Sequence, residues 1–312
     1  MRLHLLSSGR RSRQRKRAAE LIDDVSYRIR TQFPHPIAYR WRTVEAAQGT
    51  LEGYMQILEC AETAACYLAI IAILMAQNVE NAKIKTLDQI AKRLSKLNSH
   101  GMAMGDWIGI LREVKTAKMF KQVSENVPFY EILEFLKDAN TDAALQKLSD
   151  ERNDQAHGRG PKTDSEVEKK FEECFKYLET FLTGAEFISE YPLRYIEYAQ
   201  WDSFKRVNRY DYRDLMGDHP LVPQQKDQVQ NDKLEASSLY LVDRAGELHL
   251  LRPFLTRKEC PECHRKSIFF LDKYDKHKDS CELKALEDGH TFKDEDLADV
   301  FRHVGLLNHH SG

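Results

Sequence analysis

The chain has 312 residues, 31% of them charged and 42% hydrophobic, with a formal net charge of -2. That length allows two domains of about 150 residues each, and the near-neutral balance excludes a globally basic nucleic-acid binder, so any RNA contact has to come from local basic patches. No Gly-x4-Gly-Lys-Ser/Thr loop, nucleophile elbow or His-Glu-x2-His segment occurs, which leaves nucleotide hydrolysis, serine hydrolysis and zinc proteolysis without apparatus.

At the N-terminus Arg10, Arg11, Arg13, Arg15, Lys16 and Arg17 crowd together without apolar periodicity. Residues 1–17 are therefore expected to form a disordered, solvated basic arm, with added phosphate contacts as the lesser use. Leu3 to Leu6 is too short for the apolar part of a signal peptide and precedes the charges, so a cytoplasmic location is expected. Six cysteines fit a reducing compartment, with Cys60, Cys66 and Cys174 placed as small core residues.

From about residue 18 to 190 the apolar spacing is helical. The longest element is expected from Val44 to Gln77, on a repeat through Leu51, Tyr54, Leu58, Ala61, Ala65, Leu68, Ala72 and Met75. Its most apolar part, Ala64 to Ala76, is shorter than the roughly 20 residues that span a bilayer, so it reads as a buried helix and no membrane partner is expected. Partner helices are expected over Leu87 to Leu97, Trp107 to Phe120, Phe129 to Leu136, Thr141 to Gly158 and Val167 to Leu182.

The helix after Thr141 carries the most chemistry. Leu145, Leu148, Arg152 and Ala156 fall on one stripe, so Arg152 occupies a core-facing position and needs a partner. Ser149, Asn153 and His157 form a polar file beside it. Arg152 and His157 lie about 140° apart around one helix, so they converge only at a frayed end or against a second copy. A purely structural alternative pairs Arg152 with an acid on a neighbouring helix and leaves His157 as a cation near a helix C-terminus.

With four residues between arginine and histidine, Asn153 beside the arginine, and Ala156-His157-Gly158 at the end, this segment resembles the HEPN family. The helical bundle with one long helix after the motif is similar to that family as well. The resemblance implies a metal-independent ribonuclease whose site is assembled from two motif helices across a homodimer, in a defence or toxin context with a possible regulatory or antitoxin protein. Arg152 would hold the scissile phosphate through bidentate hydrogen bonds. His157 would act as general base or acid toward the RNA 2′-hydroxyl, and Asn153 would orient one of them. The alternative is a non-catalytic HEPN-like dimerisation bundle that recognises nucleic acid or a partner protein.

After Tyr191-Pro192 the pattern turns to strands, giving an α+β chain: a helical bundle over 18–190, then a smaller β-rich module over 191–312. Leu193 to Trp201 and Phe204 to Tyr212 are expected as strands, Gly217 to Lys233 as a loop, and Leu239 to Val242 with Leu248 to Leu251 as a hairpin. Aromatics interleaved with Lys205, Arg206, Arg209 and Arg213 are able to stack bases and bind phosphates, although a sheet with a solvated charged face explains them as well.

Cys260-Pro261-Glu262-Cys263 is followed by thirteen residues, His277, three more residues and Cys281. That spacing approaches the pattern of two ligands on a turn and two on a helix, so Tyr274 to Leu286 is expected to be helical, after a strand over Ser267 to Leu271. The segment 258–290 resembles a small zinc finger of the CCHC ligand type, with structural zinc on Cys260, Cys263, His277 and Cys281. His264 or His290 are alternative ligands.

Overall fold

The computed structural model describes residues 24–96, 100–219, 221–295, 297–303 and 307, and the basic arm lies outside them. Among the described residues eight α-helices come first, α1 (Val25–Gln32), α2 (His35–Ala46), α3 (Leu51–Gln77), α4 (Lys85–Leu94), α5 (Met104–Thr116), α6 (Glu131–Lys137), α7 (Ala139–Ala156) and α8 (Asp164–Gly184), with short 3-10 turns at Lys118–Phe120 and Glu186–Glu190. Nine strands and one short helix follow. The change from helix to strand falls between Glu190 and Leu193.

The single long helix expected from Val44 is two helices. Gly49 adopts a left-handed φ of 70°, and the Thr50 hydroxyl accepts the Gly53 backbone N–H, so α3 starts afresh at Leu51. Gly53 is required there: a Cβ would lie 2.0 Å from the Ala47 carbonyl oxygen. The 27-residue α3 is long and apolar enough to cross a membrane by length and composition, so shortness of the apolar run does not distinguish it. Its burial does, because 94% of its most apolar window is covered by the rest of the protein. It is the central core helix, packed on α2, α5, α7 and α8.

The first sheet contains β1 (Leu193–Asp202), β2 (Val207–Asp214), β3 (Gln225–Val229), β4 (Ser238–Val242) and β5 (Leu248–Leu250), in the order β3-β2-β1-β4-β5 with antiparallel pairing. Phe204, expected inside a strand, sits in the β1–β2 turn and is 97% exposed. β3 lies inside the stretch expected as a loop. Its sequence Gln-Lys-Asp-Gln-Val pairs with β2 through the backbone and through polar side chains, the Tyr212 hydroxyl donating to Gln225 at 3.1 Å and Lys226 lying 3.7 Å from Asp211, on a sheet edge where no apolar face is required.

The second sheet has the order β6-β7-β8-β9, from β6 (Thr256–Glu259), β7 (Lys266–Asp275), β8 (Ser280–Ala285) and β9 (Thr291–Asp294), and α9 (Ala298–His303) follows. The helix expected over Tyr274 to Leu286 is the β7–β8 hairpin. Alternation decided it: Cys281, Leu283 and Ala285 are buried while Glu282 and Lys284 between them are partly exposed, a period of two that a helix cannot satisfy.

One apolar core runs through the helices and both sheets. Trp107 of α5 meets Phe270 of β7 edge-on at 5.6 Å, and the Met102 N–H donates to the Asp272 carbonyl at 2.8 Å. The Leu286 carbonyl accepts from Arg40 Nε at 2.8 Å and from the Thr63 hydroxyl at 3.1 Å. Phe269 of β7 is fully buried and packs on Phe292. Phe269→Ala is expected to cost about 3–5 kcal/mol. Because the core is shared, the far-UV helix signal and the near-UV aromatic signal should melt together, both earlier than in the parent. Separate transitions, with only the second displaced, would count against this.

Candidate functional site

The motif helix α7 begins two residues before the expected Thr141, because the Asp138 carboxylate accepts the Thr141 N–H at 2.6 Å. It ends as expected: His157 is the C-cap and Gly158 takes a left-handed φ of 71°. Leu145 and Leu148 are buried against the core, but Ala156 at the end of the same stripe is exposed.

Arg152 meets Glu62 of α3. Its Nη2 and Nε donate to a single carboxylate oxygen, Oε2, at 3.0 and 3.3 Å. Nη1 makes no hydrogen bond among the described residues. The Arg152 side chain is 27% exposed and that of Glu62 11%. Glu62 went unrecognised in the sequence, although as the lone charged residue between Cys60 and Ala76 it was a signal that a buried cation faced it.

Neighbouring charges on α7 are already matched. Glu151 accepts from the Tyr54 hydroxyl at 3.1 Å and pairs with Lys170, and Asp154 pairs with Arg159 at 2.8 Å. Asn153 and His157 are exposed, joined through the backbone by the His157 N–H to the Asn153 carbonyl at 3.1 Å. No contact joins the Arg152 and His157 side chains within the described chain. Glu62 also borders a cavity of about 150 Å³ with Arg40, Glu59, Lys284 and Asp288, which leads toward the second sheet.

At that sheet Cys260, Cys263 and His290 come together with donor atoms within 4.8 Å of one another, a group able to hold a metal ion in the β region. Cys260 Sγ and His290 Nδ1 are 3.4 Å apart. The β6–β7 turn supplies the cysteines: the Cys260 N–H donates to the Arg265 carbonyl and the His264 N–H to the Cys260 carbonyl. The β8–β9 turn, with Gly289 at φ 76°, supplies His290. Asp288 flanks the group, 3.8 Å from Cys263 Sγ and 3.6 Å from His290 Nδ1. The Arg265 backbone N–H, then its guanidinium, hold the Cys263 thiol down to about 7, which favours the thiolate that binds metals.

His277 and Cys281 are not part of this group. Cys260 follows Glu259, which pairs with Lys266, whereas Cys281 pairs with Tyr274. Eight residues of strand separate the two levels, about 25 Å. His277 is exposed in the β7–β8 turn, and Cys281 is fully buried, with burial pushing its thiol up to about 12. His264, the other alternative, lies outside the group, its Nδ1 3.6 Å from Glu259. His290 was reachable from its sequence only as one of several histidines, because strand register brings it beside Cys260.

Beside this turn, both carboxylate oxygens of the buried Glu287 accept the Ile268 N–H, at 3.1 and 3.0 Å. Burial raises its carboxyl from 4.5 to about 7. The folded protein thus favours the protonated form, so stability should be highest in acid and fall as pH rises from about 4.5 to about 7, by roughly 3 kcal/mol before other groups are counted. Glu287→Gln should flatten this part of the profile in denaturant titrations. An unchanged slope would show that another group is responsible.

The basic residues of the first sheet are mostly neutralised: Arg213 pairs with Glu197 at 2.9 Å and Arg209 with Asp202 at 3.4 Å. No family model, curated protein or solved structure matches this chain.

Proposed function

We propose that the protein is a metal-independent endoribonuclease acting as a two-fold homodimer, with Arg152, Asn153 and His157 as its catalytic residues and a cytoplasmic defence or toxin role under a regulatory partner. The observation that carries this reading is the way Glu62 holds Arg152 through one carboxylate oxygen, which orients the guanidinium and leaves Nη1 without a partner. A planar cation fixed in this manner suits a phosphate diester. Asn153 lies exposed beside it and His157 exposed at the end of the helix. A second copy packed on this end would bring its own histidine to the first copy's arginine, since an isologous interface repeats the same patch.

In that arrangement one His157 takes the proton of the RNA 2′-hydroxyl as its oxygen bonds to phosphorus. A histidine of the other copy gives a proton to the departing 5′-oxygen. The products are a 2′,3′-cyclic phosphate and a free 5′-hydroxyl, and DNA survives for want of the nucleophile. Cleavage of labelled single-stranded RNA, with light scattering on the same sample, tests the reading. Non-catalytic recognition of nucleic acid or a partner protein is the second reading, supported by the same Arg152–Glu62 pair, which already gives the arginine a partner.

We further infer that Cys260, Cys263 and His290 hold a structural zinc ion, with Asp288 closing the fourth position. A tetrahedral zinc with bonds of about 2.3 Å to sulfur and about 2.0–2.1 Å to nitrogen places those donors about 3.5 Å apart. The 3.4 Å between Cys260 Sγ and His290 Nδ1 fits that spacing.

A further inference from the structure

A cavity of about 220 Å³ opens where α2, the segment after β2 and the second sheet meet. Arg257 of β6 lines it. Its partly buried guanidinium lies over the Tyr195 ring at 4.6 Å, and among the described residues it has no hydrogen bond and no carboxylate within ion-pair distance. Glu287 and Glu197 act on it only through space, neither within ion-pair distance, and a partly buried cation with no counter-charge in contact favours an anion. Lys266, exposed at the rim, likewise has no ion pair among the described residues.

The other charged groups lining the cavity do not cancel this surplus. Asp288 is paired with Arg265 at 3.3 Å. Glu287 is committed to the Ile268 N–H. The His35 ring donates from Nδ1 to the Gly217 carbonyl at 2.8 Å, and the Tyr39 hydroxyl accepts from Arg265 at 3.4 Å.

We propose that this cavity binds a phosphate monoester, with Arg257 as the anchoring cation and Lys266 at the mouth. A phosphate monoester carries a charge of about -1.5 to -2 at neutral pH and so offsets both cations, which a single carboxylate does not. Arginine offers it two parallel N–H donors. Drug-sized pockets begin near 300 Å³, so this smaller cavity takes a phosphate with about one sugar ring rather than a length of polymer. The ligand is either a free mononucleotide or the phosphorylated end of an RNA, and the site stands independently of the ribonuclease reading.

Calorimetry on the full chain should use inorganic phosphate, adenosine 5′-monophosphate, adenosine, and a short RNA with and without a 5′-phosphate. Inorganic phosphate and the monophosphate are expected to bind and adenosine not to. Arg257→Gln should weaken binding at least tenfold and Lys266→Gln several-fold, each in protein shown folded by circular dichroism. Binding of the 5′-phosphorylated RNA alone would support the site and assign its source to RNA ends. The proposal fails if no phosphate-bearing probe binds at millimolar concentration, if adenosine binds as well as its monophosphate, or if both folded variants bind like the parent.

Discussion

His157→Ala and Arg152→Ala are each expected to lower cleavage of single-stranded RNA by roughly 10²-fold or more, while leaving the protein folded. His157 is an exposed C-cap whose side chain makes no hydrogen bond among the described residues, so its removal should cost little stability. Arg152 differs, because its loss strands the largely buried Glu62 carboxylate. Arg152→Ala should therefore destabilise as well as inactivate, by about 1–3 kcal/mol for an unsatisfied buried acceptor. The double change Arg152→Ala with Glu62→Gln removes that stranded charge and should regain stability without regaining cleavage. Asn153→Ala, which removes only an orienting group, should fall between His157→Ala and the parent. Chelator should leave cleavage intact in protein that stays folded. If the single variants cut RNA as fast as the parent, or the protein is monomeric at micromolar concentration, the binding reading replaces the catalytic one.

Cys260→Ser should abolish stoichiometric metal, whereas His277→Ala should retain it. Elemental analysis after metal-replete expression reads both directly, at close to one zinc per chain for the parent. Cys260 is fully buried beside the β6–β7 turn, and the group draws on two turns, so an ion there ties the β6–β7 connection to the β8–β9 connection. Metal affinity in such small sites is largely folding free energy. Loss of the ion should therefore loosen the second sheet and, through the shared core, lower the melting temperature of the whole chain. Cys281→Ala should keep the metal and cost only packing. Metal-free parent protein that is fully folded, or metal retained in Cys260→Ser, would overturn the site, and loss of metal in His277→Ala and Cys281→Ala would restore the ligand set expected from spacing.

The sequence alone determined what depends on neighbours along the chain. Apolar spacing located the helices from α3 onward and the change to strands, but not α1 or α2 as separate helices, while Gly158 ended the motif helix where local chemistry requires. Cys260 and Cys263 share one turn, so two metal-ligand candidates were legible from their spacing. The tertiary structure decided what depends on residues distant in sequence. Arg152 finds Glu62 ninety positions away, a pairing set by how α7 crosses α3. His290 replaces His277 and Cys281 beside the cysteines because antiparallel register, which no local pattern encodes, places the β8–β9 turn against the β6–β7 turn and carries Cys281 to the far end of the sheet. The polar edge strand β3 was hidden for the same reason. Pairing with β2 holds it there, through the backbone and through side chains such as Gln225, which accepts from the Tyr212 hydroxyl, and its own residues carry no apolar alternation that announces a strand.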